Sequence, residues 1–537
     1  MLLAVGFQPR PPGRLEIATL DGTHTTPARL ELLDREGTGQ VADDALPVGG
    51  DCRNREEPCA TSLERAIGVL SKPFINTHTN TTQFYSIGEC AFNALPAGRY
   101  KLKVYKGIEF NVEEREIDMR PGETLKVSVP LSRWIDLARQ GWYSSDGHLH
   151  IARPVEGVNP FISKWMQAED IHVGNLLQWG NPQVFHNTLN YAFGKAGWYR
   201  EGDYLLATGQ ENPRTHMIGH TIILGANAPI SFPTAYLIYR NFFEEAKRQN
   251  ALIGYAHLGT RLGAPWGLAI DLPSRLLNFL EVLQGAVEWP AWYEILNTGF
   301  RLTPVAGTDY PCHRTYPGRD RFYTKVEGPL TYNSWLEGIR RGKTFVTNGP
   351  ILDFHVAGKE IGDEVVMEKA ESITVEGRVQ FDPKRETVDR LELVEDGQVV
   401  KSVPLLSPAS EINFRIPYAV HQTSWLALRA RGQKLFEVPN AFTRDSLAHT
   451  APVYITVRNT PPLSETQLGK LMARLWISRL DDLKARLGEN QLQYLAMPSL
   501  TSDDMDDAGL RKNRAGLLQS IESARQNYSA ILRGQER

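Results

Sequence analysis

Asp146-Gly147-His148-Leu149-His150 sets two imidazoles on alternate residues behind a carboxylate. In a β-strand, residues i and i+2 face the same side. His148 and His150 would therefore project together, close enough to hold one metal ion. Alone, the pair is a weak signal, because such histidines also serve as hydrogen-bonded structural residues. Its meaning depends on what the chain places around it.

From Gly141 to about Asn348, apolar runs of strand length alternate with helical stretches. Tyr204–Thr208, Thr221–Leu224, Ala251–Tyr255, Phe279–Leu283 and Thr303–Ala306 read as strands. Leu237–Gln249 reads as a helix with Phe242, Phe243 and Ala246 on one side, and a second helix is expected near Trp292–Asn297. Repeated β–α units predict a parallel sheet, closed at this length into a barrel. The expected unit spans residues 136–349.

The flanks read differently. Residues 1–135 alternate in short strands, as in Arg14–Leu20, Arg99–Tyr105 and Thr124–Val129, broken by Asp21-Gly22 and Pro121-Gly122. This predicts a small β-sandwich. Its order resembles the carboxypeptidase-regulatory-like sandwiches, with a structural or docking role. Residues 350–460 return to alternation, and Asp396-Gly397 marks a hairpin. Residues 461–537 predict a helical hairpin. Ser464-Glu-Thr-Gln467 reads as a capping box, with Leu468, Leu471, Met472, Leu475, Leu480, Leu483 and Leu487 at helical spacing. That stripe suits packing within the chain or a homo-oligomer contact. The expected fold is thus multidomain α/β plus β, a barrel between two β-sandwiches with a helical tail.

The 537 residues carry a net charge of −3, which gives no footprint for nucleic acid. No run of roughly 18 apolar residues predicts a membrane-spanning helix. Met1–Phe7 is too short for a signal peptide. The compartment stays open: periplasmic or extracellular if a signal peptide was removed or lies upstream, otherwise cytoplasmic. Among four cysteines, Cys52 and Cys59 flank a polar loop that admits a disulfide or two reduced thiols. No CxxC pair suggests a thiolate zinc site. Asn80-Thr-Thr82 is a glycosylation acceptor only on a secretory route.

In such a barrel, functional groups gather at the C-terminal ends of strands. Glu211, His257 and Asp309 follow predicted strands, whereas His220 opens one. Each has a bland reading: a solvated carboxylate, a core histidine, a loop cap. Together with His148 and His150 they offer four imidazoles and two carboxylates, a set suited to Zn²⁺ or Mn²⁺.

The order DGHLH (146–150), GQE (209–211), GH (219–220), GYAHLG (254–259) and GTD (307–309) resembles the PHP superfamily, named for polymerase and histidinol phosphatase domains. Trp335–Pro350 and Ala448–Tyr454 are similar to the carbaryl-hydrolase-type metallohydrolases within it. The resemblance covers about residues 135–458. It implies a PHP-type distorted β/α barrel with two divalent metal ions, zinc or manganese. One would be held by His148, His150, Glu211 and Asp309. The other would share Glu211 and add His220 and His257. A water between the ions would lose a proton near neutral pH, and the resulting hydroxide would attack a small-molecule substrate. Asp309 would accept or shuttle a proton; Glu211, and His313 four residues beyond Asp309, are the other catalytic candidates. Asp146 would orient a ligand imidazole.

The resemblance implies hydrolysis of an ester, carbamate or amide. Phosphoester hydrolysis by the same site and a non-catalytic carbohydrate- or surface-binding scaffold are the alternatives. Many relatives use two further histidines for a third metal. Gln178-Trp179-Gly180-Asn181 and Pro311 stand in their places, so that site is expected to be absent or rebuilt. His313 is a substitute ligand, a general acid, a substrate contact or a loop histidine. Arg214, His216 and Trp179 lie near the mouth in sequence, where Arg214 is either an anion contact or a solvated side chain. His172 is expected to be structural. His449 either reaches the mouth or packs between domains.

Overall fold

The computed structural model describes residues 11–46, 75–76, 81–179, 189–215, 218–258, 265–284, 289–310, 315–405, 409–435, 445–488 and 507–535. Over these residues the chain is a multi-sheet α/β protein with four sheets and seven α-helices. The loop of Cys52 and Cys59, Asn80, Gly180, Asn181, His216, Pro311, Cys312 and His313 lie outside them.

The largest sheet has 16 strands. Its first part runs in chain order as β1 (Trp142–Leu149), β2 (Val173–Trp179), β3 (Tyr204–Thr215), β4 (Gly219–Leu224), β5 (Leu252–Tyr255), β6 (Phe279–Leu283) and β7 (Thr303–Ala306). Helices α1 (Asn159–Ala168), α2 (Tyr239–Arg248), α3 (Pro265–Asp271) and α4 (Trp289–Asn297) lie between them. β2, β4, β5, β6 and β7 are buried along their whole length, as strands covered on both faces must be. Beyond β7, Tyr310 bridges Leu149 in parallel and its carbonyl accepts from His150 N at 2.7 Å. The sheet therefore curls until the chain after β7 meets the end of β1.

A wholly parallel sheet is not what forms. Residues 216–218 alone separate β3 from β4, and a parallel neighbour needs a crossover of roughly a dozen residues. β4 accordingly runs antiparallel to both β3 and β5. The other pairings from β1 to β7 are parallel. The start of β4 thus lies at the edge where its neighbours end.

β8 (Arg321–Lys325) pairs antiparallel with β1. Helix α5 (Tyr332–Arg340) leads to β9 (Thr344–Thr347), which pairs with β8 and with Asp445–Thr450. The sheet continues without a break through Ser424–Lys434, Glu386–Glu395 and Gln398–Pro404. A separate four-stranded sheet, built on Ile351–Val356, Ser372–Gln380 and Glu411–Ala419, shares with that outer part a core including Phe354, Val375, Leu391, Leu428 and Val453. The two layers are sandwich-like. The Asp396-Gly397 hairpin forms as expected, with positive φ at both residues.

The N-terminal residues also form two layers, with four and six strands, around Leu15, Leu30, Phe92 and Leu102. This unit docks at the end of α1. Arg133 Nη1 and Nη2 donate to Asp170 at 3.0 and 3.1 Å. Arg29 Nε donates to Glu169 at 2.6 Å, and Lys106 Nζ donates to the Gln167 carbonyl at 2.6 Å.

Helices α6 (Gln467–Arg486) and α7 (Asp507–Leu532) pack on the central body. The cap of α6 is Thr466, whose Oγ1 accepts from Gly469 N at 3.0 Å, rather than Ser464. The buried seam is Gly469, Ala473, Trp476, Leu480, Leu483 and Leu487. Its C-terminal half is the leucine stripe expected, whereas in the first half Gly469, Ala473 and Trp476 are buried and Leu471 is exposed. No helix among the described residues is long and apolar enough to cross a membrane.

Candidate metal centre

The edge where β1, β3, β5 and β7 end gathers the chemistry. His148 and His150 stand at the end of β1, and Glu211 lies in β3. His220 opens β4, while His257 and Asp309 follow β5 and β7. None of the six is more than 6% exposed. His220 reaches this edge because its strand is reversed. His257 and Asp309 hold φ of +50° and +53°. That left-handed backbone is uncommon for residues with a Cβ and clusters at functional sites.

Glu211 sits at the centre, and its two oxygens face different partners. Oε1 lies 2.8 Å from His220 Nδ1, 3.4 Å from His257 Nε2 and 3.9 Å from His148 Nε2. Oε2 lies 3.2 Å from His150 Nε2 and 3.2 Å from Arg214 Nη1. Asp309 Oδ1 is 3.1 Å from His150 Nε2 and 3.5 Å from His148 Nε2. Three overlapping groups result: His148, His150 and Glu211; Glu211, His220 and His257; His148, His257 and Asp309. Within each, ligand atoms lie within 4.8 Å of one another, and each group could hold a metal ion.

The groups of the cluster perturb one another strongly. Burial works to raise the Glu211 carboxyl, but Arg214 and His220 outweigh it and hold the group well below the usual carboxylate range. Burial, reinforced by Arg214, pushes His220 down to about 4. For His148, burial is outweighed by Glu281 and Asp309, which hold the ring well above its usual value. A buried carboxylate among converging imidazoles is a costly arrangement unless paired or coordinated. The set of four imidazoles and two carboxylates suits a borderline divalent cation.

Two supporting residues escape a motif reading. Glu281, in the middle of apolar β6, lies 3.1 Å from His148 Nδ1 and accepts from His257 N at 3.0 Å. Gln284 Oε1 meets His257 Nδ1. The signal was a lone carboxylate in a wholly buried strand, a position where an unpaired charge is not tolerated. Glu281 takes the role expected of Asp146. Asp146 instead accepts from His148 N at 3.0 Å, Thr308 N at 3.1 Å, Thr308 Oγ1 at 2.6 Å and Gly318 N at 2.8 Å. It ties the β1 and β7 ends together. Gly307 permits that approach, since a Cβ there would stand 2.4 Å from His148 Cβ and 2.7 Å from Glu281 Oε1.

Arg214 is not a solvated side chain. It pairs with Glu211, and its guanidinium carbon lies 4.4 Å from the Trp179 ring centroid. His172 is structural: it contacts Ser144 Oγ at 2.9 Å and stacks on Tyr204. His449 packs against α4. Its Nε2 meets Tyr293 Oη at 2.6 Å beside Trp289 and Trp292, and burial pushes its pKa down to about 3. Gln178 is buried, and its Oε1 accepts from Asn190 N at 3.3 Å.

No family model matches the chain. No curated protein matches it either. Two solved structures align with parts of it. One is the complex of zinc 2-glycoprotein and prolactin inducible protein from human seminal plasma, 12% identical over 20% of this chain and 94% of that chain, with a TM-score of 0.15. The other is the CARDB domain of a Pyrococcus furiosus protein, 14% identical over 20% of this chain and 98% of that chain, also with a TM-score of 0.15. Likeness at that level carries no argument about the site.

Proposed function

We propose that this chain is a metal-dependent hydrolase of the PHP type, with the curled sheet as a distorted β/α barrel between two β-sandwiches. Its substrate is a small molecule with an ester, carbamate or amide bond. The observation that carries the reading is the place of Glu211 among four imidazoles, with Oε2 beside His150 and Oε1 beside His220, His257 and His148. A carboxylate so placed suits a bridge between two divalent ions, zinc or manganese. When bound, such ions supply Lewis acidity and lower the pKa of water.

The chain's own residues do the rest. Glu281 and Gln284 hold the rings of His148 and His257. Asp309, at the less buried margin of the cluster, would accept a proton from the attacking water and return it to the leaving group. Trp179, 5% exposed, limits solvent beside His150.

The test is a panel of aryl esters, aryl carbamates, anilides and aryl phosphates, offered to metal-loaded, chelated and reloaded protein. Acyl hydrolysis lost on chelation and restored by Zn²⁺ or Mn²⁺ supports the reading. Turnover confined to the aryl phosphates favours the phosphoesterase alternative. Turnover indifferent to chelation overturns both.

A further inference from the structure

Arg214 stands beside the candidate centre for a reason that lies in the backbone. In a regular strand, residues i and i+3 face opposite sides. Glu211 and Arg214 nevertheless meet at 3.2 Å, because the register of β3 against β4 shifts between them. Bulges next to functional sites commonly re-aim a side chain. Here the irregularity turns a guanidinium onto the Oε2 side of Glu211, the side shared with His150 and Asp309. The residue is fixed there from both ends. Its N–H donates to Tyr236 Oη at 3.1 Å, and that hydroxyl donates to Asn212 Oδ1 at 2.6 Å. Its guanidinium lies over Trp179. The Arg214 side chain is 11% exposed against 1% for Glu211, so it lies on the outer side of the carboxylate.

We infer that Arg214, backed by Trp179, reads an anionic group of the substrate, and that favoured substrates carry a carboxylate close to the scissile acyl bond. The inference rests on the hydrolase reading and names its substrate class. The planar guanidinium fork matches a carboxylate in a way a lysine ammonium does not. The Arg214 guanidinium carbon lies 4.4 Å from the Trp179 ring centroid, a contact that limits its freedom to move.

The test compares wild type, R214K and R214Q as full-length, metal-loaded protein, with metal content measured in each. Glutarate is the binding probe by calorimetry. Mono-(4-nitrophenyl) glutarate and 4-nitrophenyl acetate are the anionic and neutral substrates. Glutarate affinity is expected to fall roughly tenfold or more in R214Q, with R214K between, as for loss of a charge-assisted hydrogen bond. The kcat/KM preference for the glutarate ester over the acetate ester should fall in parallel, mainly through KM. Equal glutarate binding in the three proteins, or an equal loss on both esters, overturns the inference and leaves Arg214 as a support for Glu211. If neither ester is turned over, the ester form of the hydrolase reading fails, while the calorimetry still decides whether Arg214 binds a carboxylate.

Discussion

Glu281 shows how much of the candidate centre depends on residues that carry no motif. It lies in a wholly buried strand, yet it reaches both His148 Nδ1 and the backbone of His257. Such partners fix the tautomer and aim of a ligand imidazole. In Glu281→Gln, affinity for Zn²⁺ should therefore fall about tenfold to a hundredfold with the fold retained, read by competition with a chelating dye. Unchanged affinity would remove Glu281 from the site. The six candidate ligands stood out in the sequence only as a set, through their common location and the order of their motifs, since each alone has an ordinary structural use; the structure brings them together. Glu281 did not stand out, because a single carboxylate inside an apolar run gives no spacing to read. Asp146 was misassigned for a related reason: sequence adjacency to His148 suggested a side-chain partner, whereas its oxygens are filled by Thr308, Gly318 and the His148 backbone.

Asp271 supplies a pH prediction at the same scale. It is buried, accepts from Tyr255 Oη at 2.6 Å, and burial pushes its pKa up to about 7. In the unfolded chain an Asp ionises near roughly 4. Between those values the folded protein holds a proton that the unfolded chain has released. Its contribution is full below about pH 4 and is lost as pH rises toward 7, at up to about 1.4 kcal/mol per pH unit. Asp271→Asn keeps an acceptor for Tyr255. The difference in stability between wild type and variant should shift in favour of the variant from pH 4.5 to pH 7, by urea unfolding. A difference constant with pH would show that Asp271 is ionised in the fold.

At the scale of elements, direction mattered more than existence. The strands at Phe279–Leu283 and Thr303–Ala306 were readable to the residue, since short, continuous apolar runs are what a two-sided sheet demands. The reversal of β4 was not readable from its own residues. It follows from the short link before it, and it is what brings His220 to the shared edge. The C-terminal helices teach a similar lesson. Leu480, Leu483 and Leu487 form the seam as their spacing suggested, but in the first turns Trp476 takes the contact, with Nε1 donating to Thr298 Oγ1 at 3.0 Å. Trp476→Ala should cost on the order of 3–5 kcal/mol in urea unfolding, the usual penalty for emptying a large core site. A loss under about 1 kcal/mol, accompanied by a change in mass in solution, would instead assign this face to contacts between copies.

For the whole molecule, a continuous sheet joins the central body to the sandwich-like C-terminal layers, and ion pairs fasten the N-terminal layers to the end of α1. Local alternation in the sequence announced these β-rich flanks. It gave no sign that β9 and Asp445–Thr450 would carry one sheet across the expected boundary, because pairing between distant strands leaves no local periodicity. The central claim for the molecule is that this frame holds Glu211 between two metal positions. The direct measurement is the metal-to-chain ratio of purified full-length protein after loading with Zn²⁺ or Mn²⁺ and removal of excess, alongside Glu211→Gln. The account predicts about two ions per chain for wild type and a marked loss in the variant, since one carboxylate serves both positions. A ratio near one, or a ratio of two that survives loss of Glu211, would contradict it.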